Sequence, residues 1–141
     1  MTLRALTDRR GVANNPNPNP RSKQTMTREE LSEAIRRHDQ WLQGIYDGKR
    51  ADFYQEIMWG VVLDGKRLIG AGFEGADLRG ASFRNADLNG ADFTDADLRG
   101  ADFTGANLDG VDFVGANMEN VTLRLANTAG ADFTGTVLEA A

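Results

Sequence analysis

The sequence predicts an all-β solenoid in which the chain winds through a four-sided coil of twenty residues per turn. Three observations predict it. From Ala71 to Leu138 the chain repeats every five residues: a small residue, then usually Asp or Asn, then a large apolar centre, with glycine commonly closing the block. Thirteen of the fourteen centres are large and apolar, Thr128 being the exception. The centres also repeat every twenty residues, so that Phe73, Phe93, Phe113 and Phe133 form one column and Leu78, Leu98, Met118 and Leu138 a second. Phe83, Phe103 and Leu123 form the third column; Leu88, Leu108 and Thr128 form the fourth.

The physical reading of one block is short. The small residue and the centre are two apart, so an extended backbone points both inward, and the Asp or Asn between them points outward. The remaining two residues turn the corner. Four sides close a square, and successive coils then pair about 4.8 Å apart. Carried backward, the register adds Phe53, Met58, Leu63 and Leu68, with Glu56 and Lys66 in slots normally held by alanine. A degenerate first coil is therefore expected at 51–70, and the solenoid as a whole at 51–141. Its length is then roughly 20 Å. Terminal coils of a stacked repeat are expected to be atypical because they close the core.

Residues 1–26 show no sustained apolar periodicity, and Asn14 to Pro20 alternates asparagine with proline, which breaks both helix and ladder. This segment reads as an extended arm carrying Arg4, Arg9, Arg10, Arg21 and Lys23 against Asp8. It is a solvated tail, a targeting segment or a docking arm that orders on a partner. Residues 27–50 read as a capping helix and linker. Thr27 and Glu30 have the spacing of a capping box. Leu31, Ala34, Ile35, His38, Trp41 and Leu42 make one apolar stripe, and Gly44 supplies the stop. The stripe is expected to cap the open end of the solenoid, with Trp41 lying over it. At the far end, Leu125 occupies a corner normally given to glycine and Thr128 a centre. That end is a candidate homo-oligomer surface.

Whole-chain composition narrows the function. There is no cysteine, which excludes disulfides and thiolate metal sites. No stretch reaches the length of a membrane span, so a cytoplasmic or intracellular protein, or part of a virion or other large assembly, is expected and a membrane partner is not. Residues 1–70 hold twelve Lys/Arg against nine Asp/Glu, a balance of +3; residues 71–141 hold four against twelve, a balance of −8. An acidic repeat is ill suited to direct nucleic-acid binding, where affinity comes from neutralising phosphates.

The blocks from Ala71 to Leu138 resemble the pentapeptide-repeat family, whose pattern is A(D/N)LXX, and 51–70 resembles it more loosely. The segment HDQWLQGIYDGKRADF, from His38 to Phe53, is similar to the helix that precedes the repeat in many family members. The resemblance implies a right-handed quadrilateral β-helix. It implies no single activity. One branch of the family consists of acidic, rod-like dimers that mimic DNA and bind DNA gyrase.

Reactive chemistry finds no foothold, and neither catalytic residues nor cofactors nor metals are expected. His38 is the single histidine and lies on the buried stripe, with no second histidine for a relay. Asp77, Asp87, Asp97 and Asp102 share one repeat slot, which points to solubility and to hydrogen bonds with corner backbone. Surfaces remain. Asp92, Asp112 and Asp132 stack in an acidic stripe with Asp52, interrupted by Gly72. Arg79 and Arg99 stack on the neighbouring side, either as a recognition surface or as compensation for the aspartates. Tyr54, Trp59 and Ile69 place large apolar groups outward on the first coil, so the N-terminal segment or a partner is expected to cover them. The sequence thus points to a non-enzymatic structural or interaction protein with protein partners. The alternative is a gyrase-binding DNA mimic. Its weakness is length, because roughly 20 Å of solenoid is shorter than one turn of B-DNA at about 35 Å.

Overall fold

The computed structural model describes residues 25–138. Within it the repeat is an all-β solenoid with a strict register. Every repeat-to-repeat bridge is parallel and joins residue i to residue i+20, as in Asp52↔Gly72, Ile57↔Asp77 and Asp112↔Asp132. Only the second residue of each block bridges. A side holds too few residues between corners to extend further, so the walls are ladders of single bridges rather than long strands.

The corners explain the five-residue period. Each centre carbonyl accepts a hydrogen bond from the N–H three residues on; Phe73 O from Ala76 N–H, at 3.1 Å, is typical. The residue before that donor has positive φ, as a type II turn requires. Glycine holds most of these corners, and Gln55, Asn85, Asp95, Asn120 and Leu125 hold the others. Leu125, at φ +60, is the costly one, because a left-handed backbone brings Cβ against the following carbonyl. Between coils, the N–H of a centre and of a corner donate to carbonyls of the next coil, while the small residue's carbonyl accepts back. Phe93 N–H to Asp112 O at 2.7 Å and Asp112 N–H to Ala91 O at 3.0 Å show both directions.

Inside, the columns are continuous. Phe53, Phe73, Phe93, Phe113 and Phe133 stack with centroids 4.7–5.4 Å apart. Phe83 stacks on Phe103 at 5.0 Å and meets Phe93 edge-on at 5.6 Å. Both are favoured aromatic geometries. Leu78 and Leu98 are fully buried in the same core. Alanines at the wall positions, such as Ala76 and Ala96, are buried too, which lets opposite walls approach around the large centres.

One helix, α1 (Arg28–Leu42), precedes the repeat. Its start is a complete capping box: Thr27 Oγ1 accepts from Glu30 N–H at 3.1 Å, and Glu30 accepts from Thr27 N–H at 2.8 Å. Its end is a Schellman motif, with Ile45 N–H bonded to Gln40 O, Gly44 N–H to Trp41 O, and Gly44 at φ +74. The linker then folds back along the helix, and Gly48 makes this fit. A Cβ there would lie 2.3 Å from the Trp41 backbone nitrogen.

The helix packs on the first coil through Leu31 and His38, both buried, with Met26, Ala34 and Ile35 partly so. His38 Nδ1 accepts from Ala51 N–H at 3.0 Å, so the ring is held at the point where the chain enters the repeat. Arg50 reaches Gly70 O at 2.8 Å, and Arg67 pairs with Asp39 at 2.9 Å. Just before the helix, Thr25 forms a parallel bridge with Ile57. The helix thus covers the first coil while Thr25 extends one of its walls. The arm expected over 1–26 lies outside the described residues except for Thr25 and Met26.

Candidate interaction surface

The outward aspartates are engaged locally. In block after block the Asp or Asn Oδ1 accepts from the backbone N–H two residues on: Asp92 with Thr94 at 2.9 Å, Asp112 with Val114 at 2.8 Å, Asp132 with Thr134 at 2.9 Å. Thr94 and Thr134 add their hydroxyls to the same oxygens. The Thr134 hydroxyl and N–H hold the Asp132 carboxyl below the usual carboxylate range. Hydrogen bonds to the charged form account for that direction. The stripe of Asp92, Asp112 and Asp132 therefore tightens corners. Gly72 leaves room in this column: a Cβ there would lie 3.1 Å from Asp52 Oδ1 and 3.3 Å from the Arg50 guanidinium.

The arginines are tied down as well. Arg79 forks onto Asp77 at 2.8 and 2.7 Å, and Arg99 onto Asp97 at 2.8 and 2.6 Å. The Arg99 side chain depresses the Asp97 pKa, while Asp77 raises that of Arg79. A guanidinium spent on the carboxylate of its own block is charge compensation at a half-exposed site, worth little to stability.

The apolar residues behave differently. Tyr54 is 53% exposed and Trp59 37% exposed, whereas Ile69 is only partly accessible. Ile69 lies on the α1 side, close enough for its carbonyl to act on His38. Trp41 departs from its expected place over the end of the coil. It remains 42% exposed, rests beside the Gly70 corner and sits 5.4 Å from the His38 ring. Leu31 and His38, two turns apart on one face, are the buried residues of the helix instead. Burial pushes His38 below the ordinary histidine pKa, the Ile69 carbonyl opposing it. Nε2 has no hydrogen-bond partner of good geometry.

One feature that side-chain periodicity in the repeat does not show is a groove of about 440 Å³ between α1 and the linker, lined by Glu29, Glu33, Arg37, Lys49, Arg50 and Asp52. The i, i+4 spacing of Glu29, Glu33 and Arg37 is the available signal for a charged helix face there. Its mixed charges select no single ligand sign. Among the described residues no group of three or more His, Asp or Glu could hold a metal ion. None of the described helices is long and apolar enough to cross a membrane.

At the C-terminal end Val137 and Leu138 are half-exposed and Leu125 is 80% exposed. Phe133 and Leu123 are only partly covered. Exposed large apolar side chains thus collect at the two ends: Trp41, Ile45, Tyr46, Tyr54, Trp59 and Val62 at one, Leu125, Val137 and Leu138 at the other. Among the described residues none falls in between.

The family model "Pentapeptide repeats" matches in eight copies over residues 49–85, 67–105, 86–124 and 101–139. Among solved structures, a pentapeptide repeat protein (Rfr23) from the cyanobacterium Cyanothece 51142 is 30% identical, with 61% of this chain and 56% of that one covered and a TM-score of 0.40. A pentapeptide repeat protein from the Arabidopsis thaliana thylakoid lumen is 33% identical, with 62% of this chain and 65% of that one covered and a TM-score of 0.39. The chain therefore spans less than two thirds of either protein. QnrB1, a plasmid-mediated fluoroquinolone resistance protein, is 19% identical over 59% of this chain and 61% of that one, with a TM-score of 0.25. Nothing among the curated proteins matches.

Proposed function

Because this chain belongs to the pentapeptide-repeat family, we propose that it is a non-enzymatic structural protein, a short right-handed quadrilateral β-helix of about four coils, capped by α1, that binds protein partners as part of a larger assembly. The observation that carries this reading is the segregation of exposed apolar side chains to the two ends, with polar, internally satisfied coils between them. A rod whose outward aspartates and arginines are engaged within their own blocks and whose ends are apolar is suited to being joined at its ends. The N-terminal end offers Tyr54 and Trp59, amphipathic rings of the kind that dominate binding energy at interfaces.

The test is co-purification from the native host with the Tyr54→Ser/Trp59→Ser variant beside the parent chain. Loss of specific partners at unchanged thermal stability is the expected result. An identical partner set would remove the aromatic end from the proposal.

A second reading, an acidic DNA mimic acting on DNA gyrase, is favoured by the outward carboxylates of Asp92, Asp112 and Asp132 in one column and by the −8 balance of residues 71–141. A supercoiling assay decides it. Absence of both inhibition and protection at micromolar protein eliminates this reading and leaves the first intact.

A further inference from the structure

The junction between two coils follows one pattern along the repeat. Phe103 and Gly105 donate to the carbonyls of Thr122 and Arg124, and Thr122 N–H donates back to Ala101 O. Phe113 and Gly115 do the same with Asp132 and Thr134, and Asp132 N–H returns to Val111 O. Each such side presents two N–H groups and one carbonyl toward the C-terminal end. Toward the N-terminal end it presents two carbonyls and one N–H.

At the ends of the solenoid these groups are left over. On the last coil they include the N–H of Leu123, Leu125, Phe133 and Gly135 and the carbonyls of Val121 and Ala131. On the first coil they include the carbonyls of Asp52, Val62, Asp64 and Arg67 and the N–H of Asp52, Val62 and Arg67. None has a backbone partner among the described residues. The two edges match group for group, and an unpaired edge is a template for another backbone. Exposed apolar side chains flank both: Leu125, Val137 and Leu138 on one, Tyr54, Trp59 and Val62 on the other.

What keeps such edges apart is α1. The first-coil centres Phe53, Met58, Leu63 and Leu68 are at most 1% exposed. In the last coil, Leu123, Thr128 and Phe133 are partly accessible and Leu138 is 51% exposed. The cover on the first coil is α1, through the buried Leu31 and His38, while Thr25 occupies the side of Ile57. A helix is about 10 Å across and neighbouring coils are about 4.8 Å apart, so no further coil can stack while α1 is in place. The helix thus covers the side chains of this end and leaves backbone groups on three of its four sides unpaired.

We propose that α1 is a removable stop on self-assembly: when it lifts, the last coil of a second copy takes its place, and copies stack head to tail as one continued solenoid. The exchange replaces like with like. Two N–H groups and one carbonyl per side meet two carbonyls and one N–H, and Leu123, Phe133 and Leu138 gain the enclosure that Phe113 and Met118 already have. Apart from its apolar face, α1 and its linker are held to the coils by Ala51 N–H on His38 Nδ1 at 3.0 Å, Arg50 on Gly70 O at 2.8 Å and the half-exposed Arg67–Asp39 pair at 2.9 Å. The arrangement is heterologous, so it propagates instead of closing as a two-fold dimer. This goes beyond the proposed binding of protein partners and does not depend on it.

The experiment uses the full chain, with sedimentation velocity across a concentration series. The parent is compared with Leu31→Asp, which puts a carboxylate on the buried face of α1, and with Gly48→Ala, which forces the linker off the Trp41 backbone and keeps the apolar face intact. Hydrogen exchange over residues 71–120 reports whether the coils stay folded. Expected are a monomeric parent, variants that associate at least about tenfold more strongly, and loss of that association when Leu138→Lys is added. A photoreactive benzophenone amino acid in place of Leu125, in mixed isotopically heavy and light Leu31→Asp chains, should crosslink heavy to light into residues 51–70. Folded variants that stay monomeric, a parent that associates as strongly as they do, association that survives Leu138→Lys, or crosslinks into residues 121–138 of the other copy would each overturn the proposal. Coils that unfold in both variants would overturn it too, since α1 could then not lift from a folded solenoid.

Discussion

At the N-terminal end of the solenoid Phe53 is fully buried in one apolar cluster with Leu31 of α1, and Thr25 extends the wall by a parallel bridge. At the C-terminal end Phe133 stacks on Phe113 in the same column at 5.2 Å, yet it is only partly covered and the backbone ahead of it is unpaired among the described residues. The two rings occupy equivalent slots of one repeat. Their difference teaches that a centre residue acquires its burial from the coil on each side of it, so one block pattern yields a rigid middle and two ends that depend on what covers them.

Five substitutions, in four tests, break or sharpen that contrast, in order of expected effect. Phe53→Ala removes a fully enclosed ring and is expected to cost about 3–5 kcal/mol, whereas Phe133→Ala, at an already open site, should cost less than half as much. Urea unfolding of both variants measures the gap, and equal losses would mean that the two ends are equally covered. Gly48→Ala drives a Cβ into the Trp41 backbone, which cannot step aside as a side chain would. A loss of about 1–3 kcal/mol is expected, together with a change in the fluorescence of the tryptophans.

His38 links the covered end to pH. Its folded pKa is lowered by burial from the ordinary 6.5, so the unfolded chain takes up the proton first as pH falls. Its contribution to stability is complete above pH 6.5 and is lost progressively as pH drops toward the folded pKa. A proton on Nδ1 would also face the Ala51 N–H that it now accepts from. Arg50 and Arg67 oppose the charged ring and Asp39 favours it. Unfolding free energies measured across this window should slope in the parent and flatten in His38→Gln. The smallest effect is a gain at the open end: Leu125→Gly relieves a left-handed leucine and is expected to add about 1 kcal/mol. A thermal midpoint that fails to rise would show that the Leu125 side chain is packed against something.

Much of this is legible in the order of the residues. The twenty-residue register follows from which centres match, and the helix start follows from Thr27 and Glu30. The aspartate slot also reads as a corner device, because a residue demanded at every side serves every side. What stays hidden depends on how bodies are set against one another. Helical spacing gives the stripe from Leu31 to Leu42 but not the roll of α1 on the first coil, so the stripe alone puts Trp41 where Leu31 and His38 sit. Gly48 looks like any linker glycine until the chain folds back onto Trp41. The charged groove between α1 and the linker exists only once the two are apposed.

By itself the sequence determined the period, the side-chain columns and the acidic character of the coils, since each rests on local alternation and on repeat spacing. The tertiary structure alone decided how α1 sits on the end it covers, with Leu31 and His38 buried and Trp41 left exposed. It also decided that the exposed edge is rich in donors, a property of backbone direction that no side-chain pattern records. The five-residue block states what every coil shares; the ends differ because burial and hydrogen-bond pairing there are set by neighbours outside the block.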